Sequence, residues 1–285
     1  MQPNTRYLLR YDDIDLSFEN GVYVVNWLGG GVNDTVSTVE LQSVDGSFVS
    51  KHHAPERQII INFRAFNEEQ KQFLYGLFTT RKYGVLTYVP NKGEDSNAKQ
   101  IECLPTNVEP STSAFPMTVT VTLLCPYPLW KSSEITVRQI CGELDLWEFD
   151  WEIPLDSTFE FSNTKENTTI FEYQGTIPTG FTVNISLLQA TSYLKVVNYY
   201  TGEYIHVEMD FPPNSEILVS TETGNKKIMH KLMGDNEYKD ITNRLVWGST
   251  YFQIQPGQNR IFMSTANGTV GVNAYINFFT KFGGV

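Results

Sequence analysis

The residues of this chain that could do chemistry are few and scattered. His52 and His53 are the strongest candidates for metal ligands, but adjacent side chains on a strand face opposite ways and rarely reach one ion. No further His or Cys lies near them to complete a ligand set. His206 and His230 are single residues with no carboxylate at an obvious partner spacing. We therefore predict no metal site and no cofactor, and we interpret these histidines as surface or packed side chains.

A carboxylate-rich segment offers the best candidates for general acid and base. It contains two tryptophans that could stack on a sugar, Trp147 and Trp151, and five carboxylates, Glu143, Asp145, Glu148, Asp150 and Glu152. Glycoside hydrolysis needs only two well-placed carboxylates, so a hydrolase stays open as an alternative. Because the segment 143–152 lies at a predicted junction between domains, an acidic linker or interface is favoured over catalysis.

Other motifs fall short of a catalytic pattern. A Ser-His-Asp triad is defined by geometry and is not excluded by sequence, but 247–250 lacks the second glycine of a GxSxG elbow. The glycines 29–31 lack the pattern of a phosphate-binding loop, and no helix follows them. Tyr199, Tyr200 and Tyr204 could bind carbohydrate, although core or subunit contacts are the favoured interpretation. We predict no catalytic residues and no enzyme activity.

The composition indicates which elements must position these residues. The chain has 285 residues, of which 41% are hydrophobic, 13% aromatic and only 19% charged, against a usual value of about 25%. Aromatic residues suit the half-buried surface of a sheet, so the chain is expected to be folded and rich in β-structure. Its net charge of −11 argues against tight binding of nucleic acid or docking on an anionic membrane. Three cysteines without a CxxC pair fit small buried side chains in a reducing compartment.

The first half predicts strands and one helix. Asn67 is the expected N-cap, the stripe of Phe73, Leu74, Leu77 and Phe78 is the buried face, and Gly84 is the expected end. Residues 45–57 are expected to be an exposed connection with an Asp-Gly turn. The remaining segments predict strands, at 7–11, 22–27, 36–44, 58–66, 85–89, 99–104 and 115–124.

The second half has a different rhythm, with short strands separated by turn residues and no helical stripe. This pattern is typical of a β-sandwich or jelly roll. The expected strands are 157–161, 169–173, 181–186, 193–198, 204–209, 216–220, 251–254, 260–265 and 270–279.

The prolines at 126 and 128 mark the division of the chain, because proline does not continue a central strand. We predict one domain over residues 1–132 and a second over 133–285. The N-terminus has no apolar signal segment, and no run reaches the roughly 20 apolar residues of a membrane helix. We therefore expect a soluble chain made in the cytoplasm.

The order of several segments resembles the distal tail proteins (Dit) of siphophages. In the first half the resemblance is carried by 55–63, by the helix and strand of 68–88, and by 117–124 running into the proline-rich exit 125–130. In the second half it is carried by 217–227 and by 248–261 with its Pro-Gly-Gln-Asn turn. The acidic stretch 143–152 has no counterpart in the family.

The resemblance implies a mainly β fold with a barrel- or sandwich-like ring domain carrying one α-helix, followed by a galectin-like or carbohydrate-module-like β-sandwich. It implies a homohexameric ring at the tip of a phage tail, with the virion as the location. The implied partners are the tail tube, the tape measure protein, the tail hub or tail-associated lysin, and receptor-binding or baseplate proteins. DNA would pass through the ring without specific binding, and a host-surface carbohydrate is a further implied ligand. A stand-alone carbohydrate-binding protein remains the alternative.

Overall fold

The computed structural model describes residues 7–32, 34–40, 45, 47–91, 95–143 and 165–285. By their contacts the residues divide into two compact units. The first contains the chain up to Glu134 together with Lys281–Val285, and the second contains Ile135–Thr280. The expectation of a mainly β protein is confirmed, since strands dominate both units and one α-helix occurs in the described residues.

The first unit contains helix α1 (Glu68–Leu77) and eleven described strands. They are β1 (Leu8–Tyr11), β2 (Ile14–Asp15), β3 (Tyr23–Leu28), β4 (Thr35–Glu40), β5 (Ser47–His53), β6 (Arg57–Ala65), β7 (Gly84–Val89), β8 (Lys99–Pro110), β9 (Met117–Cys125), β10 (Trp130–Ser132) and, from the far end of the chain, β22 (Lys281–Phe282). Two short 3-10 turns lie at Phe18–Asn20 and Asp95–Asn97.

One curved sheet builds the core of this unit, in the order β2-β1-β7-β8-β9-β6-β3. Strict alternation in β6 and β9 buries every second side chain, and these side chains share one cluster with Leu86 of β7 and Ile101 of β8. Helix α1 contributes Leu74 to the cluster, and Phe78 follows it. β10 pairs with β8 on one side and with β22 on the other, so Trp130 is fully buried in the same core.

Helix α1 is shorter than the sequence pattern predicts. The Asn67 N-cap is confirmed, because its Oδ1 accepts the backbone N–H of Gln70 at 2.9 Å. The helix ends at Leu77 rather than near Gly84. Thr79 donates its hydroxyl to the carbonyl of Gly76, and Arg81 has a left-handed φ of 76°, so the chain turns away before the basic residues can extend the helix.

The second unit is a two-sheet sandwich. Its strands are β11 (Thr136–Glu143), β12 (Lys165–Glu166), β13 (Thr168–Tyr173), β14 (Thr182–Leu187), β15 (Thr191–Asn198), β16 (Tyr204–Phe211), β17 (Ser215–Ser220), β18 (Lys227–Leu232), β19 (Lys239–Asp240), β20 (Gly257–Thr265) and β21 (Val272–Phe278), with a 3-10 turn at Thr242–Arg244. One sheet has the order β12-β11-β21-β14-β17-β18-β19 and the other β13-β20-β15-β16. Side chains from both sheets, including Val183 and Val196, form a single core.

Three strand predictions need correction. Residues 45–57 are not a simple connection, because Ser47–His53 forms β5 and pairs with β4 in a separate ribbon. Residues 251–254 do not form a strand; Phe252 and Ile254 are buried, but only Ile254 makes a bridge, to Thr179. β18 was not anticipated, because its mixed sequence of Lys, Met and His hides the alternation. The strand expected at 157–161 lies outside the described residues.

Candidate functional site

The histidine pair does not build a metal centre in the described structure. His52 and His53 are successive residues at the end of β5, and the side chain of His53 is exposed. Among the described residues, no group of three or more His, Cys, Asp or Glu side chains is arranged to hold a metal ion.

Among the described residues, the side chains of His230 and Ser215 make a Ser–His contact that resembles part of a catalytic triad. Nε2 of His230 lies 3.0 Å from Oγ of Ser215, and this hydroxyl donates to the carbonyl of Pro212 at 2.7 Å. Ser215 is fully buried, so its oxygen is out of reach of a substrate. Burial first, and the nearby Lys239 second, lower the pKa of His230. The pair therefore fixes the turn between β16 and β17 and supplies no accessible nucleophile.

His206 does have a carboxylate neighbour, contrary to the expectation from spacing. Residues two apart on a strand share a face, and Nε2 of His206 lies 3.7 Å from Oε1 of Glu208 on β16. The ring of Tyr193 on β15 meets the imidazole edge-on at 5.4 Å. Beside these residues lies an open cleft of about 530 Å³, lined by Ser192, Tyr193, Glu208, Met209, Asp210 and Arg244.

The tyrosines considered for carbohydrate binding do not form one platform. Tyr199 and Tyr200 are exposed and meet edge-on at 6.0 Å in the turn after β15. The guanidinium of Arg260 covers the ring of Tyr199 at 4.6 Å, and the hydroxyl of Tyr200 hydrogen-bonds Gln258. Tyr204 is half-buried on β16, with the ammonium of Lys195 4.4 Å from its ring centre.

The glycines 29–31 serve as an anchor for a buried arginine. Arg57 is 5% exposed and donates to the carbonyls of Gly29, Gly31, Pro128 and Gly283 at 2.7, 2.5, 2.8 and 2.6 Å. Burial lowers the pKa of this guanidinium. Sequence reasoning missed this site, since nothing local to Arg57 indicates that four distant backbone oxygens converge on it.

The β4–β5 ribbon exposes several apolar side chains. Val36, Val39, Phe48 and Val49 are 53, 48, 56 and 53% exposed, and every residue of β4 is exposed. An isolated two-stranded ribbon is marginally stable in water. This ribbon is therefore the strongest candidate for an interface among the described residues of the first unit.

Two other predicted features have different outcomes. The acidic residues 144–152 lie outside the described residues, and of Glu143 only its place at the end of β11 is described. Cys103, Cys125 and Cys141 are free and fully buried, as expected of small core side chains.

In the described part of the chain no helix is long and apolar enough to cross a membrane.

Comparison with known proteins identifies the class of the second unit. Residues 174–276 match the family model SPP1_Dit, described as the C-terminal domain of the siphovirus-type tail component. These residues run from the end of β13 into β21 and include most of the sandwich. No curated protein sequence matches the chain.

Solved structures extend the likeness to the fold of the whole chain. The crystal structure of the Dit protein (gp 19.1) of phage SPP1, described as a paradigm of the hub adsorption apparatus in phages infecting Gram-positive bacteria, matches with a TM-score of 0.69 at 14% identity. The match covers 97% of this chain and 99% of that one. The baseplate of phage p2 in its activated conformation with Ca matches with a TM-score of 0.49 at 11% identity, over 98% of this chain and 99% of that one.

Residues 174–276 of the second unit are thus similar to the C-terminal domain of siphovirus-type tail components. The chain also shares its fold with SPP1 Dit over almost the full length of both proteins.

Proposed function

We propose that the protein is a structural subunit of the distal end of a phage tail, where copies of it form a homohexameric ring. The ring joins the tail tube and tape measure protein to the tail hub or tail-associated lysin, and it carries receptor-binding or baseplate proteins. The first unit builds the ring and the second projects from it. The match of residues 174–276 to a siphovirus-type tail component supports the location in the virion tail and a structural rather than catalytic role.

The observation that carries this proposal is the uncovered β4–β5 ribbon. The register of the ribbon places Val39 beside Phe48 on one face and Val36 and Val49 on the other, so each face exposes two apolar side chains that are about half exposed. Isolated exposed apolar residues are ordinary, but an apolar pair on each face of a ribbon is a candidate contact surface. Each such side chain gains roughly 1 kcal/mol or more when a neighbour covers its remaining surface. In a closed ring each subunit contributes one ribbon to a heterologous interface with its neighbour. Every ribbon is then covered.

A second observation points to the same unit. β3 stands at the end of the main sheet, and Val25 and Leu28 on it are 49 and 61% exposed. An open edge strand with apolar side chains is a template for pairing with another chain. The net charge of −11 suits a ring through which DNA slides without sticking, and a structure of the ring with a basic lumen would contradict this part.

Particle mass tests the proposal directly. Mass photometry and negative-stain microscopy of the full chain are expected to show rings of six copies. The fraction of protein in rings is expected to increase with protein concentration. Phe48→Glu places a carboxylate in the covered surface and is expected to leave monomers at micromolar concentration. Ile170→Glu is the matched control, because Ile170 is also 56% exposed but lies on β13 in the second unit.

Three results would count against the proposal. The first is a wild-type protein that stays monomeric at all concentrations and in the presence of purified tail-tube protein. The second is a Phe48→Glu variant that assembles as well as the wild type. The third is loss of assembly in Ile170→Glu, which would place the interface in the second unit.

A further inference from the structure

We propose that Cys103 and Cys125 are an oxidation site, at which a peroxide converts the two thiols into a disulfide that staples the first unit. Both residues are fully buried in the core of this unit. The inference goes beyond the assembly role, because it concerns the covalent state of a single subunit. Only its timing, after the particle has left the host, rests on the proposed function.

The sheet places the two cysteines opposite each other. Leu104 of β8 pairs with Leu124 of β9 in an antiparallel register, so the next step along both strands brings Cys103 opposite Cys125. Directly opposite residues of an antiparallel pair have Cα atoms about 4.5 or 5.5 Å apart, and a disulfide takes about 4.4–6.8 Å. The two side chains share one face of the sheet and lie within hydrogen-bonding reach of each other. The fold thus holds the two sulfur atoms in position for a bond.

Strand β8 can make the small adjustment that a disulfide requires. Opposite Cβ atoms in a ladder lie about 4.5–5.5 Å apart, whereas a disulfide draws them to about 3.5–4.5 Å. The pairing of β8 with β9 shifts register between Pro105 and Asn107, and a shift of this kind disrupts the ladder locally. On the other side of Cys103, β7 presents Gly84, which adds no side chain that would hold the thiol in place.

The surroundings make Cys125 the more reactive thiol. Arg57 of β6 pairs with Cys125. The hydrogen bond with Cys103, and after it the positive charge of Arg57, lower the pKa of Cys125 against the opposing effect of burial. The same hydrogen bond, and then burial, raise the pKa of Cys103. Because the thiolate is the nucleophile in thiol oxidation, Cys125 reacts first and Cys103 resolves the product.

The reaction balances with hydrogen peroxide as the oxidant. The Cys125 thiolate attacks one peroxide oxygen, the O–O bond breaks, and a sulfenic acid forms with release of hydroxide, which takes up the proton that Cys125 lost. The sulfur of Cys103 then attacks the sulfur of Cys125, the S–OH bond breaks, and water leaves with the proton of Cys103. The two thiols lose two electrons, and one peroxide becomes two waters.

The end of β9 is the route by which a small oxidant reaches the pair. Cys125 is the last residue of this strand, and the next two residues, Pro126 and Tyr127, are exposed. Chain ends of this kind open locally at a lower free energy than the centre of a sheet, so the unit does not have to unfold globally. Reducing systems in a cytoplasm keep such thiols free, and oxidation follows in an oxidising medium.

Oxidation of the purified full-length protein without denaturant tests the inference. Protein freed of reductant is treated with a small molar excess of hydrogen peroxide, and its thiols are titrated and its peptides mapped without reduction. We expect loss of two of the three thiols, a Cys103–Cys125 peptide pair, and a rise of roughly 5–15 °C in the Tm of the first unit. A reductant should reverse all three changes.

The three cysteines supply matched variants. Cys141 is buried in the core of the second unit, where burial raises its pKa to about 12, so Cys141→Ala should keep both the cross-link and the rise in Tm. Dimedone traps sulfenic acids, and Cys103→Ala should be labelled at Cys125 about tenfold more than Cys125→Ala is labelled at Cys103. The wild-type protein before and after reduction is its own reference, so the test does not depend on how well a variant folds.

The inference is overturned if all three thiols persist in the folded protein, if Cys141 is the thiol that reacts, or if the cross-link forms without raising Tm. Stronger labelling of Cys103 than of Cys125 would overturn the order of attack. The particle mass of the reduced and the oxidised protein is measured in parallel. A cross-link in a protein that never forms rings would contradict the ring and support this inference, and rings without a cross-link would do the reverse.

Discussion

Replacing Arg57 by methionine should destabilise the first unit far more than an ordinary surface substitution. The side chain is buried and has no carboxylate partner among the described residues; its charge is balanced by four carbonyl oxygens. A hydrogen bond to a charged group contributes about 1.5–3 kcal/mol, and each buried carbonyl left without a partner costs about 1–3 kcal/mol.

These contributions are not additive, because the glycine-rich segments can relax and water can enter. The comparable cost of removing one partner from a buried ionic site is about 3–5 kcal/mol, and we expect a loss of this size in the free energy of unfolding. For a unit of this length that corresponds to a fall of roughly 10–20 °C in Tm. Arg57→Lys should be nearly as harmful, since one compact ammonium cannot reach four separated carbonyls.

Differential scanning calorimetry and urea unfolding would measure the effect. Arg260→Met is the matched control: this arginine stacks on the exposed ring of Tyr199, and its loss should cost about 1 kcal/mol or less. A cost below about 1 kcal/mol for Arg57→Met, or full stability of Arg57→Lys, would refute the reasoning that the carbonyl cluster holds the segments together.

Three further outcomes are expected from urea unfolding. Gly29→Ala should lower the free energy of unfolding by about 3 kcal/mol or more, because Gly29 has a φ of 100° and an added Cβ would meet the carbonyl oxygen of Gln58. Gly31→Ala has open space at its Cβ and should be near neutral, so equal costs for the two variants would contradict the steric argument. Asn67→Ala should cost about 1 kcal/mol by removing the N-cap of α1, and Asn67→Asp should retain most of it; a neutral alanine variant would show that the cap does not matter. Because the pKa of His230 is lowered in the folded state, the unfolded state takes up a proton more readily below about pH 6.5, and the free energy of unfolding should fall as the pH is lowered towards 5. His230→Gln should reduce this dependence of stability on pH. An unchanged dependence would assign it to other groups.

The sequence predicts the strands of regular alternation and the N-terminus of the helix, because these depend on local pattern and local hydrogen bonding. β6 and β9 keep one buried face throughout, and Asn67 caps a helix that begins at the next residue. The end of the helix was misplaced, since the left-handed turn at Arg81 depends on its surroundings and not on residue type.

Features that depend on distant contacts were not predictable. The role of Arg57 requires carbonyls from 26 to 226 residues away to converge on one guanidinium. The cleft beside His206 requires the loop at 244–250 to lie along β16, a contact between distant segments that the sequence of the loop does not indicate. The sequence does not predict β5 as a strand, because its apolar residues, Phe48 and Val49, lie on an exposed surface and not in a core.

The return of Lys281–Val285 to the first unit has a consequence for the order of biosynthesis. β22 pairs with β10, Gly283 accepts from Arg57, and the backbone N–H of Val285 donates to Gly30. The ribosome makes these residues only after the sandwich, so the first unit stays incomplete at this site while the sandwich is being synthesised. We expect nascent chains stalled before residue 281 to remain sensitive to protease in the first unit. Stalled chains that resist protease as well as the full chain does would disprove this expectation. Completion of the first unit therefore depends on prior synthesis of the second.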